Sequence, residues 1–377
     1  MKRILLVLGT RPDIIKLGPV YTEVLKSGSC LIDVFLSGQH RDMADEMMSI
    51  FDMHADYAGA DLRELATLSS KLGELLQEIS TILQIRSYDW IVVQGDTITA
   101  LAGAVAGFFE KTPVAHVEAG LRTFDLQAPW PEEFDRRAIT LATNVHFAPT
   151  EDAKSNLLRE GVEPNSIHVT GNTALDALKY IRAKIRFDYV PKDERIAAIP
   201  RDKKLILVTG HRRENAGGPL ENIIRAIATL ASDEDKFLVW PVHPNPAFRK
   251  VVLERLATEA NVLLLEPVGY PDFIYLMERA WTMITDSGGI QEEFPSFNRP
   301  LIVTRTCTER PEGIAAGFAH LAGNDPELIV SAVRRFTSGS SPTLIEGENP
   351  FGAGDAAARI CQSLLGARLP QKIRTAS

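Results

Sequence analysis

Residues 281–300 read WTMITDSGGIQEEFPSFNRP: an apolar run, a polar triplet, two glycines, then a helix start that Pro295 soon disturbs. The apolar part reads as a strand, and a helix opens at its carboxyl end. The same arrangement recurs along the chain. Strand-like runs in the first half are ILLVLG (4–9), IDVFLSG (32–38), DWIVVQGD (89–96), PVAHVE (113–118) and VHFAPT (145–150). Those in the second half are IHVTGN (167–172), KLILVTG (204–210), KFLVWPVH (236–243), VLLLEP (262–267), MITDSGG (283–289) and PLIVTR (300–305). Helix-length stretches such as 14–25, 68–83 and 220–230 lie between them. Continuous apolar strands separated by helices imply parallel strands covered on both faces. The expected fold class is therefore α/β, with two doubly wound Rossmann-like domains and a boundary near residues 169–175. Segment 187–203 reads as a surface excursion of the second domain, and the last residues as a frayed tail.

Composition supports this frame. The 377 residues suffice for two domains, and 45% apolar with 24% charged residues is the balance of a soluble globular protein. A net charge of -8 argues against nucleic-acid and anionic-membrane partners. Cys30, Cys307 and Cys361 lie far apart with no CxxC pair, so neither a disulfide framework nor a metal site is expected, and a cytoplasmic setting fits. The apolar run in MKRILLVLGTRP is short for a signal peptide, and no stretch is long enough to span a bilayer.

Nearly every strand ends in polar or glycine residues, where open α/β sheets take their ligands. Two such sheets facing each other would hold a ligand in the cleft between them. In DSGG, the bare backbone of Gly288 and Gly289 suits a phosphate at a helix N-terminus, with Ser287 adding a hydroxyl and Glu293 reaching ribose hydroxyls. The alternative is a tight turn capped by Asp286 or Ser287, its glutamates merely favouring the helix dipole. GTRPDIIK (9–16) is neither GxGxxG nor a Walker loop. It places Arg11 and Lys16 beside an open helix N-terminus, although a lone lysine more often lies on a solvated face.

VVQGDT and AHVEAGLRT set Asp96 and Glu118 at consecutive strand ends, and PWPEEFDRR adds Glu132, Glu133, Arg136 and Arg137. Carboxylates that converge can divide into acid and base. The bland account makes Asp96 a helix cap and Glu133–Arg137 an i,i+4 pair. That account is preferred for Glu133 alone. In TGHRREN, His211 can bind phosphate or shuttle a proton, with Arg212 and Arg213 adding charge. His116 and His243 fit structural roles, and Asp233, Glu234 and Asp235 fit a solvated loop.

Taken in series, GTRPDIIK, SGQHRDM, VQGDT, HVEAGLRT, PWPEEFDRR, TGHRREN, TDSGGIQEEFPS and TERPEGIAAG resemble the non-hydrolysing UDP-N-acetylglucosamine 2-epimerases from about residue 3 to residue 360. The resemblance implies a GT-B-like pair of Rossmann-like domains, residues 1–170 and 171–354, with a C-terminal helix about 355–367 packing back on the first. It implies a homodimer in bacterial surface polysaccharide synthesis that interconverts UDP-GlcNAc and UDP-ManNAc. No cofactor or obligatory metal would be used, and enzyme-bound 2-acetamidoglucal would form after elimination of UDP.

It also implies catalytic roles for Asp96, Glu118, Glu132 and His211, and substrate contacts from Arg11, Lys16, Phe273, Ser287, Gly288, Gly289, Glu293 and Arg310. Gln39, His40, Arg41 and Arg212 match parts of a second UDP-GlcNAc site that activates bacterial members, whereas Glu46 and the Leu65, Ala66 pair replace polar residues expected there. Other departures are Asp13 where Glu is commoner, Val268 in place of a glutamine near uracil, and NPFGAGDA for the commoner NPYGDG. Competing readings are the hydrolysing epimerase, a GT-B glycosyltransferase and a UDP-sugar binder without turnover. The carboxylates disfavour simple transfer, which needs no base at C2.

Overall fold

The computed structural model describes residues 1–38, 41–185, 189–210, 217–308 and 310–366. Its contacts divide the chain into two units: Met1–Ala177 joined by the chain from Phe351 onward, and Leu178–Pro350. Among the described residues no helix is long and apolar enough to cross a membrane.

The first unit is built on seven strands: β1 (Lys2–Leu8), β2 (Cys30–Leu36), β3 (Tyr57–Ala58), β4 (Trp90–Gln94), β5 (Val114–Val117), β6 (Val145–Ala148) and β7 (Ile167–Val169). They form one parallel sheet in the order β3-β2-β1-β4-β5-β6-β7. The order reverses between β1 and β4, where Ile4 lies beside Trp90 and Leu6 beside Val92. Such a reversal parts the flanking loops and opens a binding crevice at the carboxyl ends. IHVTGN, grouped by sequence with the second set of strands, instead supplies the last strand of this sheet. Sheet neighbours are set by long-range pairing, which local sequence does not carry.

The helix Ile98–Phe109 shows why the layers pack closely. A Cβ on Gly103 would meet Val93 Cγ1 at 2.7 Å, and one on Gly107 would meet Val114 Cγ2 at 2.6 Å. Only glycine lets this helix approach β4 and β5 so nearly. At the C-terminus, helix Ala356–Gly366 packs on helix Arg11–Ser27. Asp176 accepts the Ala356 and Ala357 amides at 3.2 and 3.0 Å, while Lys2 Nζ and Trp90 Nε1 donate to Leu364 O at 2.8 and 3.2 Å.

The second unit repeats the plan with β8 (Lys204–Val208), β9 (Lys236–Pro241), β10 (Val262–Leu265), β11 (Thr282–Thr285), β12 (Leu301–Val303) and β13 (Ala319–Leu321). All are parallel, in the order β10-β9-β8-β11-β12-β13, with the reversal between β8 and β11. Segment 189–203 runs mostly at the surface, anchored where Tyr189 Oη and the Lys192 amide donate to Asp272 at 2.6 and 3.2 Å and where Ile196 is buried. One expectation changes here. Asp233 and Asp235 are not merely solvated. Asp233 pairs with Lys236 at 3.0 Å and Arg334 at 2.8 Å, and Asp235 with Lys204 at 2.8 Å. Lysines at the start of β8 and β9 gain counterions there.

Candidate active site

At the reversal of the first sheet, the turn after β1 approaches the helix after β4. A Cβ on Gly9 would lie 2.4 Å from Thr99 Oγ1, so glycine is what lets the two meet. Helix Arg11–Ser27 begins there, and Asp13 Oδ2 reaches back to the Gly9 and Thr10 amides, both at 2.9 Å. Burial pushes Asp13 up to about 6, against those hydrogen bonds and with the Asp96 charge adding to the rise. Arg11, half-buried, opens this helix, and Lys16 lies farther along it.

Lys16 is not on a solvated face. Its ammonium pairs with Glu118, whose other oxygen takes the side-chain amide of Gln94 from the end of β4. Glu118 follows β5 with φ 66, a left-handed conformation that few non-glycine residues adopt. Gly120, two residues on, has φ 91, and a Cβ there would lie 2.2 Å from Ala153 O. The backbone thus turns sharply on both sides of the carboxylate.

Asp96 does not cap the following helix; Thr97 does, accepting the Ala100 amide at 3.1 Å. Asp96 Oδ2 instead receives Arg136 Nε and Nη2 at 2.8 and 2.7 Å. The expected Glu133–Arg137 pair is not formed. Glu133, fully buried, takes Arg136 Nη1 and the amides of Thr123 and Phe124, all at 3.1 Å, while Arg137 turns to Glu160 at 3.4 Å. The loop amides need an acceptor inside, and that demand outweighs a surface pair. Glu132 opens the same helix, Glu132–Ala142, with its Oε2 buried and without a hydrogen-bond partner among the described residues. The structure therefore brings Lys16, Asp96 and Glu118 together around the carboxyl ends of β4 and β5, with Glu132 opening the helix whose Arg136 pairs with Asp96. It adds Gln94 and Arg136, which sequence reasoning did not assign. Their place at a strand end and inside PWPEEFDRR was the available signal. His116 is structural: Nε2 lies 2.7 Å from Gly95 O, and burial pushes it down to about 3, so it is neutral.

In the second unit the ends of β8 and β11 adjoin, with Thr209 Oγ1 2.7 Å from Thr285 Oγ1. Ser287 sits at the N-cap of helix Gly288–Glu293 but makes no side-chain cap bond, and Asp286 is buried. The glutamates are not surface charges either. Glu292 Oε1 receives Arg310 Nε at 2.9 Å, and Glu293 Oε1 receives Tyr270 Oη at 3.0 Å. A Cβ on Gly288 would meet the Arg310 guanidinium carbon at 3.0 Å, whereas one on Gly289 would meet nothing within 4 Å. Ser287, Gly288, Gly289 and Arg310 are thus assembled, and Phe273 lies half-buried one turn from Tyr270 on helix Tyr270–Arg279. Gln39, His40, His211 and Arg212 lie outside the described residues, and Arg41 is described only as the first residue of helix Arg41–Ile50. Among the described residues, no group of three or more His, Cys, Asp or Glu side chains is arranged to hold a metal ion.

Comparison with known proteins bears on this constellation. The sequence model described as UDP-N-acetylglucosamine 2-epimerase matches residues 23–365. The UDP-N-acetylglucosamine 2-epimerase of Escherichia coli O157:H7 is 40% identical over 373 residues, which cover 97% of this chain and 99% of that protein. Among solved structures, the Neisseria meningitidis UDP-GlcNAc 2-epimerase bound to UDP-GlcNAc has a TM-score of 0.88 at 38% identity, covering 96% of this chain and 99% of that one. The Methanocaldococcus jannaschii UDP-GlcNAc 2-epimerase in complex with UDP-GlcNAc and UDP has a TM-score of 0.80 at 33% identity, with the same coverage.

Proposed function

Because this chain belongs to the UDP-N-acetylglucosamine 2-epimerase family, we propose that it interconverts UDP-GlcNAc and UDP-ManNAc by inverting C2 of the sugar. The observation that carries this reading is the placing of Asp96 and Glu118 at the ends of the neighbouring strands β4 and β5, paired with Arg136 and Lys16, with Glu132 one turn from Arg136 on its helix. A sugar C2–H is not acidic, so its removal must accompany loss of UDP from C1. One carboxylate takes the proton as the C1–O bond breaks, leaving 2-acetamidoglucal. UDP then adds back at C1 while another carboxylate delivers a proton to the opposite face of C2. Acid–base residues of this kind contribute roughly 100- to 10,000-fold each.

The second unit would hold the diphosphate. Ser287, Gly288 and Gly289 present amides and a hydroxyl, Arg310 a guanidinium, Glu293 a ribose acceptor and Phe273 an apolar wall for uracil. Arg11, Lys16 and His211 are proposed as further contacts to the nucleotide sugar. Charge stabilisation on the leaving UDP is then a large part of the catalysis. The non-hydrolysing course is part of the proposal, as are a cytoplasmic setting and a homodimer. Activation by a second UDP-GlcNAc through Gln39, His40, Arg41 and Arg212 remains a separate proposal, since Glu46, Leu65 and Ala66 change its surroundings.

An NMR time course with UDP-GlcNAc in D2O tests the reading. The expected result is a stable mixture of the two UDP-sugars with deuterium at C2. Stoichiometric free UDP and ManNAc would instead indicate hydrolysis. Unchanged substrate without exchange would overturn epimerisation altogether.

A further inference from the structure

Two adjacent glutamates, Glu292 and Glu293, are buried in the second unit, and the proposed function uses only Glu293. Glu292 is 3% exposed, in helix Gly288–Glu293, and its Oε1 receives Arg310 Nε at 2.9 Å. This bond takes one of the five guanidinium N–H donors, at the stem end, and fixes the plane in which the others lie. The guanidinium rests on Gly288: a Cβ there would fall 3.0, 3.2 and 3.3 Å from its Cζ, Nη1 and Nε. Only a residue without a side chain leaves room for that plane.

The backbone that carries Arg310 is tied to the same helix. The Arg310 amide donates to Thr308 Oγ1 at 3.2 Å, and that hydroxyl donates to Gln291 Oε1 at 2.6 Å. Gln291, fully buried, completes the path, its Nε2 donating to Ser287 O at 3.2 Å. Asn349 Nδ2 anchors the helix itself through the Glu292 carbonyl and Ser296 Oγ, both at 2.8 Å. Gln291 and Glu292 thus hold the main chain and the side chain of Arg310 beside Ser287 and Gly288. A buried ion pair is weak evidence for stability, since apolar residues of similar volume often serve as well. What the carboxylate adds is direction. A long side chain ordered only when its ligand arrives loses rotamer freedom at the expense of affinity.

We propose that Glu292 is a positioning residue for the diphosphate: it presets the Arg310 guanidinium over Gly288 and does not itself touch the ligand. This rests on the reading of Ser287, Gly288, Gly289 and Arg310 as the diphosphate contacts. Glu292 therefore acts on phosphate binding, through Arg310, and not on the contacts to uracil or ribose.

The test is a double-mutant cycle on UDP affinity, by calorimetry with the full chain, for wild type, Glu292→Ala, Arg310→Ala and the double variant. Glu292→Ala should weaken UDP by about tenfold or more, and the double variant should bind within about twofold of Arg310→Ala, because the glutamate then has nothing to orient. Uridine, which lacks phosphate, should bind Glu292→Ala within about twofold of wild type by ligand-observed NMR. Unchanged UDP affinity in Glu292→Ala, an additive double variant, or an equal loss for uridine would overturn the proposal. Glu292→Leu fills the space without an acceptor and runs the same cycle if the alanine variant does not fold. Glu292→Gln keeps an acceptor for the Nε–H and should restore UDP affinity to within about threefold of wild type. A glutamine variant as weak as Glu292→Ala would overturn the orienting role. The Arg310 Nε–H resonance, identified by its loss in Arg310→Ala, reads the contact without ligand. Slow solvent exchange in wild type that becomes fast in Glu292→Ala supports the proposal, and equal exchange overturns it. Wild-type protein that binds no UDP would defeat the functional reading of the second unit instead, and the exchange measurement would still decide the hold on Arg310.

Discussion

Glu118 is the most constrained side chain of the first unit's proposed site: a left-handed backbone aims it, and Lys16 and Gln94 hold both its oxygens. Glu118→Gln keeps the shape and removes the base. Turnover should fall by at least about 100-fold, while UDP, held by the second unit in the proposed reading, binds within a few-fold of wild type by calorimetry. Turnover near wild type would remove Glu118 from the mechanism. Asp13 carries a different signature. Its folded value near 6 lies above the ordinary 3.8, so the fold favours the protonated form. That stability is complete below about pH 4 and is lost as pH rises through 6, reaching a cost of about 3 kcal/mol by pH 8. Asp13→Asn should abolish this trend, so that its melting temperature gains on wild type between pH 4.5 and 8; parallel curves would sink the assignment. Most of these residues were visible in the sequence because strand ends advertise them. Glu133 was misread because its partners, the Thr123 and Phe124 amides, come from a loop whose path no local pattern encodes.

Among the elements, strands within continuous apolar runs were legible, down to the three-residue β7 and β12, and β3 and β13 were not. LLVL within β1 and IVV within β4 have the unbroken apolar character of strands covered on both faces. By contrast, β3 is only Tyr57–Ala58, and β13 reads Ala319-His320-Leu321, neither of them a run of aliphatic residues. The strand–turn–helix around Ser287 was read correctly as an abrupt start. The coordinates show no side chain capping that helix and set Glu292 on Arg310 and Glu293 on Tyr270, while the phosphate cradle is part of the proposed function. Gly289→Val tests that element cleanly, because its Cβ would meet none of the neighbouring described residues within 4 Å. Thermal stability should stay close to wild type while UDP affinity drops by about tenfold or more, the cost of a branch where backbone meets phosphate. Unaltered UDP affinity would place the diphosphate elsewhere.

On the scale of the whole molecule, the first unit leaves apolar surface uncovered on three adjoining helices. Ile85 at the end of Leu68–Ile85, Phe108 and Phe109 at the end of Ile98–Phe109, and Leu141 near the end of Glu132–Ala142 are all more than 60% exposed. Several large apolar side chains on adjoining elements mark an interaction surface more often than chance exposure, and a second copy of the chain is the occupant in the proposed homodimer. Burying them would stabilise the pair by roughly 1.5–3 kcal/mol per side chain before association costs. The expectation is a dimer by light scattering for wild type and a monomer for Phe109→Glu combined with Leu141→Glu. A wild-type monomer at micromolar concentration would refute it. Activity adds a second readout, because Glu132–Ala142 has Leu141 at one end and Glu132, Asp135 and Arg136 at the other. If dimer contact steadies that helix, the monomeric variant should lose kcat more than it loses affinity for UDP, since the residues proposed to hold UDP belong to the other unit.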